Sequence, residues 1–204
     1  MIRSIAHISK LLLTAGKSRS TTQVFVSDIS DNDEKKLGKL FGILEIDSRE
    51  RENAHIIDSL IESAEEFYYG PKEKDGEHAS HKDRLSQLSL NDMENIESRL
   101  EKTLQKLNLK TTEIMRDEES GLLPEKINAV IGVMKDRSLF FTHLGRVQAY
   151  LIHKKKNGDY TMVNILERSG DVPSSINLIR IFSNVVSGSI GSEDVVLFST
   201  ASLF

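Results

Sequence analysis

The side chains able to do chemistry in this chain are scattered, and most fail on spacing. His78 and His81 (His-Ala-Ser-His) are close enough to share a metal. The nearest acids, Asp75, Glu77 and Asp83, lie in the same charged stretch, so a solvated loop is the expected setting. Asp28-Ile29-Ser30-Asp31-Asn32-Asp33 has the outline of a calcium loop. Asp33 stands where that loop needs glycine, and Lys39 where it must close on an acid. His143 has no serine or cysteine on a recognisable nucleophile elbow to serve, which leaves a catalytic triad without support. A partly buried strand position is expected for it. Lys154-Lys155-Lys156 reads as a solvated basic hairpin tip.

Composition narrows the classes further. The 204 residues are enough for one well-buried domain, and we read 1–204 as such. With 38% hydrophobic and 28% charged residues the chain has the make-up of an ordinary globular protein. A net charge of −4, and aromatics at 6% that are not interleaved with Lys/Arg clusters, argue against nucleic acid as a partner. There is no cysteine, which removes thiolate nucleophiles, disulfides and Cys-based zinc sites together. No apolar run approaches the roughly 20 residues of a membrane span, and the N-terminus lacks a signal-peptide core. A cytoplasmic location is the expectation. The apolar ending Ser202-Leu203-Phe204 suits a fragment cut from a longer chain as well as a domain end.

The elements that would position any site follow from periodicity. Gln23–Val26 and Leu40–Ile46 read as strands joined by an acidic turn, Asp28–Asp33. From Ser48 to Tyr69 the period is helical, with Ser48 as N-cap and Gly70-Pro71 as the stop. A flexible surface loop is expected over 70–88; its first part, 70–84, is charge, Gly and Pro with almost nothing apolar. A second helix over 89–118 carries the stripe Met93, Ile96, Leu100, Leu104, Leu107, Thr111 and Ile114, which suits packing on a sheet. Ile127–Met134, Leu139–Leu144, Gln148–His153 and Tyr160–Leu166 read as a four-strand meander, with Asn157-Gly158 a tight turn. Asn177–Val186 is expected to be helical and Val195–Ser199 a final strand. Strands and helices segregated in this way imply an α+β fold.

Three segments, in order and spacing, resemble the metal-dependent Ser/Thr protein phosphatases of type 2C (PPM). Gly42-Ile43-Leu44-Glu45-Ile46-Asp47 looks like the family's Val-Ala-Asp-Gly-Met-Gly-Gly strand end. Leu144-Gly145-Arg146-Val147-Gln148-Ala149-Tyr150 looks like its Val-Gly-Asp-Ser-Arg-Ala-Tyr hairpin. Thr200-Ala201-Ser202-Leu203, after Glu193-Asp194, looks like its Thr-Asp-Gly-Leu. The resemblance implies a four-layer α/β/β/α sandwich, two antiparallel sheets flanked by helices. It also implies hydrolysis of phosphoserine or phosphothreonine by water activated between two divalent metals.

This chain departs from that pattern at the metal positions. Glu45 replaces the first aspartate and Ile46 its glycine; Arg146 replaces the hairpin aspartate and Ala201 the last one. Arg19-Ser20-Thr21-Thr22-Gln23 lacks the family's early acids, with Arg19 left as a phosphate contact. Two hard cations need several carboxylates, so the resemblance implies a degenerate, catalytically inactive domain without cofactor, serving as a protein-binding or regulatory module. The alternative is a relocated Mn²⁺ or Mg²⁺ site on Glu45 and Asp47, two residues apart and therefore on one face of a strand, helped by Asp28 or Asp194. The competing role for Asp47 is to start the following helix. Arg146 is expected to pair with Glu45.

Overall fold

The computed structural model describes residues 7–12, 19–48, 50–71, 95–117, 120–168, 181–182 and 184–200. Its strands are β1 (Thr21–Val26), β2 (Lys39–Ile46), β3 (Ile127–Lys135), β4 (Ser138–Leu144), β5 (Val147–Lys154), β6 (Tyr160–Asn164), β7 (Val186–Ser189) and β8 (Val195–Thr200). Its α-helices are α1 (Asp31–Leu37), α2 (Asn53–Tyr69), α3 (Ile96–Arg116) and the single turn α4 (Ile165–Arg168).

The strands form two antiparallel sheets, one of five in the order β1-β2-β3-β4-β7 and one of three in the order β6-β5-β8. β2 shows why they stack. Its even residues Leu40, Leu44 and Ile46 are buried with Ile57, Leu60, Ala64 and Tyr68 of α2 and with Leu100, Leu104 and Leu107 of α3. Its residue Phe41 points the other way, into a second core with Val130, Phe141 and Ala149. There Phe198 of β8 meets Phe41 and Phe141 at ring-centroid distances of 5.5 and 4.8 Å. Alternation along a strand feeds both cores at once, and each large apolar side chain taken from water contributes about 1.5–3 kcal/mol. The result is an α+β arrangement of helices, large sheet and small sheet. On the outer face of the small sheet Tyr160, Met162, Val195 and Leu197 are exposed.

Several local expectations change. The acidic segment after β1 continues into a helix rather than a turn. Ser30 caps α1, its Oγ accepting the Asp33 N–H at 3.2 Å, while Asp31, Asp33 and Glu34 open it and Lys35 and Lys36 close it. α2 begins at Asn53, not Ser48. The Asn53 side-chain amide donates to both the Ser48 carbonyl (3.0 Å) and its Oγ (2.7 Å), so Ser48 anchors a turn before the helix. Its end is as expected, with Gly70 at φ 91° and its N–H on the Glu66 carbonyl. α3 starts at Ile96, capped by Asn95; most of the loop expected over 70–88, and the stretch 89–94, lie outside the described residues.

The expected meander divides between the sheets. β3 and β4 stay in the large sheet, β5 and β6 belong to the small one, and Gly145-Arg146 carries the chain across. Asn164 ends β6, and Ile165 and Leu166 turn helical. Half of the expected Asn177–Val186 helix lies outside the described residues, and the described half is not helical: Ile181 and Phe182 form a bend and Val186 opens β7. Asn108 of α3 fixes that bend, accepting the Phe182 N–H at 2.8 Å and donating to its carbonyl at 2.9 Å.

Candidate functional site

The C-terminal end of β2 brings the site together. In the ladders Glu45 stands opposite Thr22 of β1 and Asn128 of β3. All three side chains project from the same face of the large sheet, toward β8 of the small one. Glu45 is 3% exposed, and its carboxylate is shared among hydroxyl and amide donors. Thr22 Oγ1 donates to Oε2 at 3.1 Å, Thr200 Oγ1 to the same oxygen at 2.9 Å, and Asn128 Nδ2 to Oε1 at 2.8 Å. A buried carboxylate is tolerated only when its lone pairs are met in this way.

Asn128 also holds the crossover between the sheets. Its Oδ1 accepts the Arg146 backbone N–H at 2.7 Å. Gly145 adopts φ 71°, and a Cβ there would stand 2.4 Å from the Ile127 carbonyl oxygen and 2.5 Å from Asn128 Oδ1. Glycine is therefore the residue that lets the hairpin close on the amide.

The guanidinium of Arg146 meets Asp47 rather than Glu45, with Nη2 to Oδ2 at 2.9 Å. The expected Arg146–Glu45 pair does not form because Glu45 is buried while the Arg146 side chain is 72% exposed. Asp47 does not start α2, which opens six residues later; its N–H extends the β2–β3 ladder by donating to the Lys126 carbonyl at 2.8 Å. Glu45 and Asp47 therefore have separate partners. Ile46 sits in the helix-side core, away from Glu45. Arg19 is exposed ahead of β1, and from that segment Thr22 is what reaches Glu45.

Ala201, His78 and His81 lie outside the described residues. Asp28 is exposed, and Asp194 accepts from His153 at 2.5 Å and from the Gly191 N–H at 2.7 Å. The His153 hydrogen bond, ahead of the other influences, holds the Asp194 carboxyl below its usual range. His143 is partly buried on β4. Among the described residues no group of three or more His, Asp or Glu side chains is arranged to hold a metal ion. None of the described helices is long and apolar enough to cross a membrane.

Three residues of this cluster escaped sequence reasoning: Thr22, Asn128 and Thr200. The available signal was a polar residue at a position whose strand alternation predicts burial. Asn128, inside the apolar run beginning at Ile127, is the clearest case.

The site and its frame define an α+β domain of two stacked antiparallel sheets, with a hydrogen-bonded buried carboxylate where a strand of each sheet ends. No family model matches the chain, and no curated protein does. Among the solved structures similar to it over most of its length are the following. The Mycobacterium tuberculosis serine/threonine phosphatase PstP/Ppp is 11% identical with a TM-score of 0.42, covering 88% of this chain and 77% of that one. PppA, described as a key regulatory component of T6SS in Pseudomonas aeruginosa, is 8% identical with a TM-score of 0.44, covering 87% and 74%. The catalytic domain of serine threonine protein phosphatase PstP in complex with 2 manganese ions is 14% identical with a TM-score of 0.41, covering 91% and 78%.

Proposed function

We propose that this chain is a catalytically inactive type 2C phosphatase-like domain that serves as a protein-binding or regulatory module. The observation that carries the reading is the state of Glu45. The residue at the first metal position of the resemblance is buried and takes hydrogen bonds from Thr22, Asn128 and Thr200. Those donors do for the carboxylate what cations would otherwise do. At the second position the cation is already part of the chain, because Arg146 pairs with Asp47.

The donor set fits a pair of divalent metals poorly. Two such ions need several carboxylate oxygens in one open shell. Glu45 would have to give up three hydrogen bonds, and Asp47 its arginine, to supply two of them. A relocated Mn²⁺ or Mg²⁺ site is therefore the weaker reading. No reaction step is assigned to this cleft.

The test is hydrolysis of p-nitrophenyl phosphate and of a phosphothreonine peptide with millimolar Mn²⁺ or Mg²⁺. The expected result is turnover no faster than in protein-free buffer. Metal-dependent turnover that disappears in Glu45→Ala would sink the proposal and restore the relocated site.

A further inference from the structure

The inner face of the large sheet is incompletely covered at one place. Along β2 the residues on the side of the small sheet are Phe41, Ile43 and Glu45. Phe41 and Glu45 are 8% and 3% exposed, but Ile43 between them is only half-buried. Its ladder neighbours show where the cover ends. Val130 of β3 is 1% exposed, whereas Val24 of β1 is half-buried like Ile43. Over this pair lies a half-open cavity of about 500 Å³, which Phe198 of β8 lines from the small sheet. Protein interiors otherwise leave few voids larger than a water molecule, and a cavity of this size is in the range that binds ligands.

The chain itself supplies the wall beside β8. Residues 7–11 line the cavity there, and Ile8 packs against the second core together with Val196 and Phe198. The charged lining residues belong to this segment and to two turns, Asp136-Arg137 between β3 and β4 and 190–194 between β7 and β8. The turns satisfy one another. Arg137 donates its Nε–H to the Ile190 carbonyl at 2.9 Å, and its charge favours the Asp194 carboxylate. Asp194 also accepts from His153 and from the Gly191 N–H. Lys10, in the N-terminal segment, is exposed to solvent. The floor formed by Val24, Ile43 and Phe198 offers apolar side chains, which give water no partners.

We infer that the gap over Val24 and Ile43 is a binding site for an uncharged apolar small molecule, held between the two sheets behind residues 7–11. Such a ligand supplies the cover that Val24 and Ile43 lack, and it asks nothing of Arg137 and Asp194, which already serve each other. A charged ligand would lose hydration without gaining a free partner in the turns. The site is separate from the Glu45 cluster, which begins one inner-face position further along β2. The inference therefore stands whether or not that cluster is catalytic.

The experiment titrates toluene and 1-octanol into the full chain and follows its methyl NMR signals, with octanoate as the charged counterpart. The expected result is saturable shifts at Ile8, Val24 and Ile43, with octanoate binding about tenfold more weakly than 1-octanol. Ile43→Phe, which fills the gap from within, should weaken toluene binding about tenfold or more. Thermal unfolding confirms that the variant is folded, and Val24→Phe replaces it if it is not. Methyl signals of Val24 and Ile43 that stay in place up to the solubility of toluene would overturn the inference. So would shifts confined to Met162 and Val195 on the outer face of the small sheet, octanoate binding as tightly as 1-octanol, or filled variants that bind toluene like the wild type.

Discussion

Asn128 stands directly across the β2–β3 ladder from Glu45 and donates its side-chain amide to Oε1 at 2.8 Å. The other end of the same amide accepts the Arg146 N–H at 2.7 Å. One buried side chain thus joins the carboxylate at the end of β2 to the turn that passes the chain from the large sheet to the small one. Removing it unties both. Asn128→Ala should lower stability by about 2–3 kcal/mol, the range for losing a hydrogen bond to a buried charge and leaving it short of a partner. Urea unfolding measures this as a fall in midpoint at unchanged slope. Midpoints equal within error would show that Glu45 does not need the amide.

Two glycines with positive φ separate backbone strain from crowding. Gly145 has φ 71° and oxygen atoms within 2.5 Å of the Cβ it lacks, whereas Gly158 has φ 90° and open space around it. Gly158→Ala should cost only the left-handed conformation, about 1–2 kcal/mol. Gly145→Ala should cost roughly 2–4 kcal/mol, because the methyl must also displace Asn128 or the Ile127 carbonyl. Thermal unfolding of the pair gives the comparison. Equal losses would mean that the contact at Asn128 is relieved at little expense.

The Arg146–Asp47 pair should matter much less to folding than the cluster beside it. With the arginine side chain 72% exposed, Arg146→Ala should change stability by at most about 0.5 kcal/mol, and less at high salt. Chemical denaturation at low and high ionic strength checks this. A loss of several kcal/mol would place the ion pair among the structural contacts of the fold.

The Asp194–His153 contact gives the protein an acid-sensitive component. Asp194 has its folded-state carboxyl held below its ordinary value of 3.8, first by the His153 hydrogen bond and then with help from the Gly191 N–H and Arg137. A depressed carboxyl pKa contributes stability that is present above the unfolded-state value and lost as pH falls through the folded one. Stability should therefore fall below about pH 4 more steeply in the wild type than in His153→Ala. Unfolding free energies from pH 6 down to pH 2 provide the test, and parallel curves would count against it.

Much of the frame was legible because its signals are local. Apolar alternation located β2, β3, β4, β5 and β8, and the leucine stripe located α3. The start of α1 was legible in principle, since Ser30 followed by Asp31, Asp33 and Glu34 is an N-terminal signature. A β-prone segment before it favoured a turn instead. What stayed hidden is long-range. Thr200 lies 155 residues from Glu45 in sequence and Asn128 lies 83 residues away, so no spacing rule links them. The partner of Arg146 turned on burial: Glu45 lies within β2 and is covered by the small sheet, whereas Asp47, just past the strand end, is the acid left at the surface.

The central claim is that Glu45 is a structural carboxylate, satisfied by Thr22, Asn128 and Thr200. Its most direct test is the thermal midpoint of the full chain as Mn²⁺ is titrated into the millimolar range. A ligand that binds only the folded state must raise that midpoint in step with its concentration. The account predicts a flat response, the same in the wild type and in Glu45→Gln. A rise that grows with Mn²⁺ in the wild type and vanishes in Glu45→Gln would contradict it.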